Sequence, residues 1–214
     1  MFAADRDLLI YEPNLFRDVV FLGQRVASGI ADAAEFTLTF YPDDSTLAAA
    51  GVGPGVVVTL NGVAHEVLEL TADNEAIISR LRAADDAPLL PPAPVSGAPA
   101  FVFSAAPQMR AVYLRILRTI GIEPQGAPVP GQPREQDITN GKALRHLLCM
   151  GTLELLFRAA GTLLDEAHPV NQRARFYAAA FEAERDRAVA HLDANGDGVP
   201  DTIRRLNGTP LARG

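Results

Sequence analysis

Near the C-terminus, the stretch HLDANGDGVPD (His191–Asp201) has the residue types and spacing of a loop that wraps a hard cation. Asp193, Asn195 and Asp197 stand at alternate positions, Gly198 follows for a sharp turn, Val199 can offer its carbonyl, and Asp201 closes the run. In calcium loops this D-x-N-x-D-G order lets carboxylate, amide and main-chain oxygens replace the ion's water. The register fails at its twelfth position, where a bidentate Glu belongs and Arg204 stands, and Pro200 stiffens the segment. The same residues also make a tight exit from a helix with no ion at all. Gly196 and Gly198 allow left-handed backbone there, and the Asp and Asn side chains form Asx turns. Two readings therefore stay open: calcium held by Asp193, Asn195, Asp197, Val199 and Asp201, or a structural turn. No other cofactor is implied.

The other reactive residues do not converge on a catalytic pattern. There is no G-x-S-x-G or H-E-x-x-H, and GVGPG lacks both the phosphate-loop Lys-Ser/Thr and the dinucleotide glycine spacing. His65, His146, His168 and His191 are scattered. His146 and Cys149 sit three apart on a helical stretch, which reads more simply as a core thiol beside a partly exposed imidazole. The expectation is a protein that is not an enzyme. Arg110, Arg115 and Arg118 lie on one helix and read as its solvated face, with an acidic partner or DNA as the alternative. The tail TIRRLNGTPLARG is short and basic. It reads either as a frayed terminus or as an arm that orders on a partner.

Composition sets the frame for these residues. The chain has 214 residues, 48% of them hydrophobic, enough to bury a core. A single cysteine excludes an internal disulfide framework. No apolar run is long enough to span a bilayer, and the opening MFAADRDLLIYEP lacks a signal-peptide pattern. The expectation is a soluble product of a cytoplasm. Residues 1–106 hold 14 acids and 5 bases, a net of −9, whereas residues 107–192 hold 9 acids and 11 bases, a net of +2. So acidic a front half is a poor nucleic-acid clamp.

The elements that must position these residues fall into two kinds. In the front half, EFTLTFY, Val56–Leu60, the Asn61-Gly62 hairpin signal, His65–Leu70 and EAIISRL read as short strands of a small barrel or sandwich. Residues 84–99, ADDAPLLPPAPVSGAP, carry five prolines and read as an extended connector or domain boundary. Beyond it, Met109, Val112, Tyr113, Ile116, Leu117 and Ile120 form a helical stripe that Gly121 ends. A long buried helix follows, capped by Thr139 or Asn140 and carrying Leu144, Leu147, Leu148, Gly151 and Leu155. A last helix is expected from about Asn171 to Leu192. The predicted fold class is α+β: a small β-rich N-terminal domain (1–100, connector included), an α-helical bundle (101–192), and the Asp/Gly loop with an extended C-terminal arm (193–214).

The order ALRHLLCMGTLELLFRAAG, a break, RARFYAAAFEAERDRAVAHLD, the D-x-N-G-D-G-x-x-D loop and a basic tail resembles the head-to-tail adaptor (connector) proteins of tailed bacteriophages and gene transfer agents. Arg173, Arg175, Phe176 and Tyr177 at the start of the last helix carry much of the likeness, which covers about half the chain. The resemblance implies a structural protein of the virion neck, made in the host cytoplasm. It would form a ring, commonly of twelve copies, below the portal and above a stopper or tail protein, with DNA passing through its channel without sequence-specific binding. It also implies a portal-docking arm, mapping here to Arg204, Arg205, Leu206, Leu211 and Arg213. The reading from another class is a host-encoded, calcium-dependent protein-binding module, which micromolar calcium affinity in calorimetry would favour.

Overall fold

The strand pattern of the front half closes on itself. The computed structural model describes residues 1–19, 24–124 and 132–207, which fall into two units, Ala4–Ala106 and Met1–Ala3 with Pro107–Gly214. In the first unit, β1 (Arg25–Ala34), β2 (Thr37–Pro42), β3 (Val57–Leu60), β4 (Val63–Ala72), β5 (Glu75–Arg80) and β6 (Val95–Phe103) form a closed antiparallel barrel in the order β1-β2-β5-β4-β3-β6. Alternation explains its inside. Ala27, Ala31 and Ala33 of β1 and Ala100 of β6 point inward opposite larger residues such as Phe40, Leu38, Val58 and Ile78. Small and large side chains thus share a narrow lumen. Asn61 and Gly62 both take positive φ, 48° and 78°, as a two-residue hairpin turn requires.

The proline-rich stretch belongs to the barrel unit, and only its last five residues enter a strand. Its end is β6, paired to β1 along its length and to β3 through Ala100–Phe103. The residues before it run along β5, where Leu90 exchanges hydrogen bonds with Ser79 Oγ and its carbonyl accepts from Arg80 N at 2.8 Å. Two single helical turns, α1 (Asp5–Leu8) and α2 (Leu15–Asp18), precede the barrel in sequence.

In the second unit, α3 (Ala106–Thr119), α4 (Arg145–Gly161) and α5 (Pro169–Arg187) are joined by two 3-10 turns and a β-hairpin, β7 (Val189–Leu192) with β8 (Thr202–Arg205). The stripe from Met109 to Ile120 is buried throughout, and Gly121 ends α3 with φ 72°. A Cβ at Gly151 of α4 would lie 2.7 Å from Val112 of α3 and 2.9 Å from Phe181 of α5, so the three helices meet at this residue. Among the described residues no helix is long and apolar enough to cross a membrane.

The expected fold class needs correcting. The chain is not a small β-rich domain followed by an α-helical bundle with an extended arm: it is a closed six-stranded barrel plus a few helices, with 33% of the described residues helical and 28% in strands. Two local reasons stand behind the error. The last helix stops at Arg187 because Ala188 turns extended (ψ 141°) and Val189–Leu192 pair with Thr202–Arg205. The beginning of the expected arm is therefore a strand, and Leu206 at its end is buried. Asn140 and Thr139 do not cap α4. Asn140 instead brackets β7, donating to Val189 O at 2.8 Å and accepting from His191 N at 2.9 Å, while Thr139 N donates to His191 O.

Candidate functional site

The Asp/Gly loop is the tip of the β7–β8 hairpin, not a helix exit, and its own side chains shape it. Asp193 is buried at the end of β7, and its two carboxylate oxygens accept from Gly196 N at 2.7 Å and Gly198 N at 2.8 Å. Both glycines have positive φ, 76° and 85°, which turns these amides inward at no Cβ cost. Asp201 accepts from Ala194 N (2.9 Å), Asn195 N (3.2 Å) and Asn195 Nδ2 (3.0 Å). Asp197 accepts from Val199 N at 2.8 Å and from Asn195 Nδ2 at 3.1 Å, and Asn195 Oδ1 accepts from Asp197 N at 2.9 Å. Asp193, Asn195, Asp197 and Asp201 are thus brought together as acceptors for the loop's amides, each bond replacing one otherwise made to water. Val199 sits in the same turn with its side chain exposed. Among the described residues no group of three His, Cys, Asp or Glu is arranged to hold a metal ion.

The base of the hairpin is fixed at three points. Asp193 N donates to Asp137 O at 2.8 Å, and Ile138 bridges Leu192. The Arg204 guanidinium donates to Ile120 O at the end of α3, where a cation also suits the helix's negative pole. Leu206 N donates to Ala188 O at 3.1 Å and Asn207 Nδ2 to Asp186 O at 3.2 Å, so the chain returns to the end of α5. Of the residues expected to form a docking arm, Arg204 and Leu206 are anchors of this corner, and Arg205 is exposed on β8. Leu211 and Arg213 lie outside the described residues.

The arginines of α3 are engaged within their own unit. Arg115 lies 4.8 Å over the Phe181 ring and 3.6 Å from Glu182, Arg118 lies 3.6 Å from Glu123, and Arg110 covers Tyr113. That is the solvated helix face of the simpler reading.

Sequence reasoning missed a cluster of buried charge in the barrel unit. Glu66 of β4 is fully buried between Arg6, whose Nη1 is 2.6 Å away, and Arg82, with Arg6 also paired to Asp85. Arg6 N further donates to Gly55 O at 3.0 Å, which staples α1 to the loop before β3. Next to it, Asp5 accepts from Ala105 N at 2.6 Å, and burial pushes its carboxyl up to about 6 against the opposing pull of the Ala105 and Ser104 hydrogen bonds. Nothing in the sequence flags these groups, because their partners stand tens of residues away.

Asp5 gives the barrel unit a pH dependence of definite sign. Its folded pKa is raised, so the folded state binds the proton more tightly than the unfolded chain. Its contribution is neutral below about pH 4 and becomes a penalty as pH rises to 6, reaching on the order of 2–3 kcal/mol above that. Asp5→Asn removes the charge and keeps an oxygen for Ala105 N. Urea unfolding is expected to find the variant more stable than the parent at pH 8 and no more stable at pH 4.

Comparison with known protein families, curated proteins and solved structures finds no match for this chain.

Proposed function

We propose that the chain is a structural component of a tailed-virion neck, a head-to-tail adaptor that forms a ring between the portal and a stopper or tail protein and leaves a channel for DNA. The supporting observation is the C-terminal corner. A hairpin tip shaped by Asp193, Asn195, Asp197 and Asp201 is tied to α3 through Arg204 and to α5 through Leu206. It stands in the same place, between the last helix and a basic tail, as the D-x-N-G-D-G loop that carries the resemblance to adaptors. Portal docking is assigned to Arg205 and to the sequence GTPLARG that follows Asn207.

The unequal charge agrees with this role. The barrel unit holds the 14 acids and 5 bases of residues 1–106. A surface of that sign repels a passing duplex instead of holding it.

Co-sedimentation with portal rings tests the reading. The full chain is expected to sediment with portal rings. Asp193→Ala with Asp197→Ala leaves the loop amides of Gly196, Gly198 and Val199 without their acceptors and is expected to weaken that binding at least tenfold, since one misplaced anchor of about 1.4 kcal/mol suffices. A parent chain that stays in the supernatant contradicts the proposal.

A further inference from the structure

The barrel's outer wall carries an apolar row with a fixed charge beside it. Ile30 of β1 stands directly opposite Tyr41 of β2 and, on its other side, opposite Pro99 of β6. Ile30 and Tyr41 are each 48% exposed, and Pro99 is exposed as well. Two carboxylates flank Ile30: Asp32 on β1, and Asp44, which follows β2 and bonds to Ser28 of β1. Asp32 accepts from Gly97 N at 2.7 Å, Ser96 Oγ at 2.8 Å and the Tyr41 hydroxyl at 3.1 Å, bonds that hold it below the usual carboxylate range. Asp44 accepts from Ser28 N and Ser28 Oγ, both at 3.0 Å, and is likewise held ionised, first by the Ser28 amide. An aromatic ring already fixed in place beside a permanent anion is what an arginine-bearing partner needs, since neither group must be ordered on binding.

The second unit of the same chain presents the complementary chemistry. On α5, Phe176 is 65% exposed and stands edge-on to Tyr177 at 5.1 Å, while Tyr177 stacks on Phe157 at 5.7 Å. Arg173 lies 5.4 Å over the Phe157 ring, and Arg175, paired with Glu166, is exposed beside Phe176. Ala179, one turn on, is exposed and leaves room for an approaching surface.

We propose that the Tyr41–Ile30–Pro99 face of the barrel is a docking surface for a second copy of this chain, which seats Phe176, Arg173 and Arg175 of its α5 on it. This rests on the assembly reading above and assigns the contact between neighbours. Charge decides the geometry. Two barrel faces repel each other through Asp32 and Asp44, whereas guanidinium groups of α5 suit those carboxylates, so the contact is heterologous and propagates. Closed by rotation, such a contact makes a ring.

Disulfide cross-linking in the full chain tests the contact, with the native Cys149 buried and out of reach. Ile30→Cys with Ala179→Cys is expected to give, on mild oxidation, a ladder of covalent oligomers on a non-reducing gel, and neither single variant is expected to give more than traces. Tyr41→Ala and Phe176→Ala are each expected to weaken self-association about thirtyfold. A chain that forms a ring by native mass but gives no ladder overturns this contact and leaves the assembly reading standing. A chain that stays monomeric even with portal rings present, and gives no ladder, overturns both. Cross-linking by Ile30→Cys alone would show barrels meeting face to face and also sinks the proposal.

Discussion

Replacing Glu66 by Ala is expected to destabilise the barrel unit by about 3–5 kcal/mol. The carboxylate is fully buried, and the two guanidiniums it holds, on Arg6 and Arg82, have side chains only 13% exposed. Removing the acid leaves two cations in a low-dielectric setting, where Arg6 keeps Asp7 at 3.8 Å and Asp85, itself 40% exposed, and Arg82 loses the carboxylate it pairs with. The loss is also structural, because Arg6 is the residue through which α1 reaches β4. Glu66→Gln keeps the shape and two hydrogen-bond sites without the charge, so it should fall between parent and Ala. Urea unfolding followed by far-UV circular dichroism measures all three. A loss below about 1 kcal/mol for Glu66→Ala would show that the arginines swing to water and that the cluster does not hold α1 to the barrel.

The second large effect is expected in the helical unit. Gly151→Leu should cost about 3 kcal/mol or more, because even a Cβ at this position falls within 2.9 Å of both Val112 and Phe181. Val112 and Phe181 are themselves buried, at 4% and 2% exposure, so neither has open space to move into. Gly151→Ala should cost less, since only one methyl must be accommodated. The comparison separates overpacking from helix propensity, which by itself favours Ala and Leu over Gly in a helix. Thermal unfolding of the two variants reads it directly. A Leu variant as stable as the parent would mean that α3 and α5 do not close on α4 at this point.

How much of this was legible follows from the kind of signal each element carries. The strands β2 to β5 are rich in β-branched and aromatic residues, and the Asn61-Gly62 turn marks their hairpin, so the sequence alone places them. Strand β1, RVASGIADAA, was missed because its inward positions are alanines, whose alternation is weak in hydropathy; they are small because the lumen is narrow. Strand β6 was hidden by its own Gly97 and Pro99 and by the prolines before it, so that its first half was read as a connector. Pro99 is tolerated because it lies where β6 is paired in register with β1, before its pairing with β3 begins at Ala100. The end of α5 was overrun because Ala188 and Leu192 continue the helical spacing of Phe181, and only pairing with a strand ten residues downstream ends the helix. The Asp/Gly loop shows the same division. Its turn chemistry was readable from spacing alone, but that it tips a hairpin depends on β8. The Asp5–Arg6–Glu66–Arg82 cluster left no trace in the sequence, since its members are drawn together only by barrel closure.

The most direct test of the account is the native mass of the purified full chain, alone and with portal rings. A closed oligomer near twelve copies, formed alone or when portal rings are added and held to them, is the predicted result. A chain that stays monomeric at every concentration and ignores portal rings would contradict the assembly reading at its root.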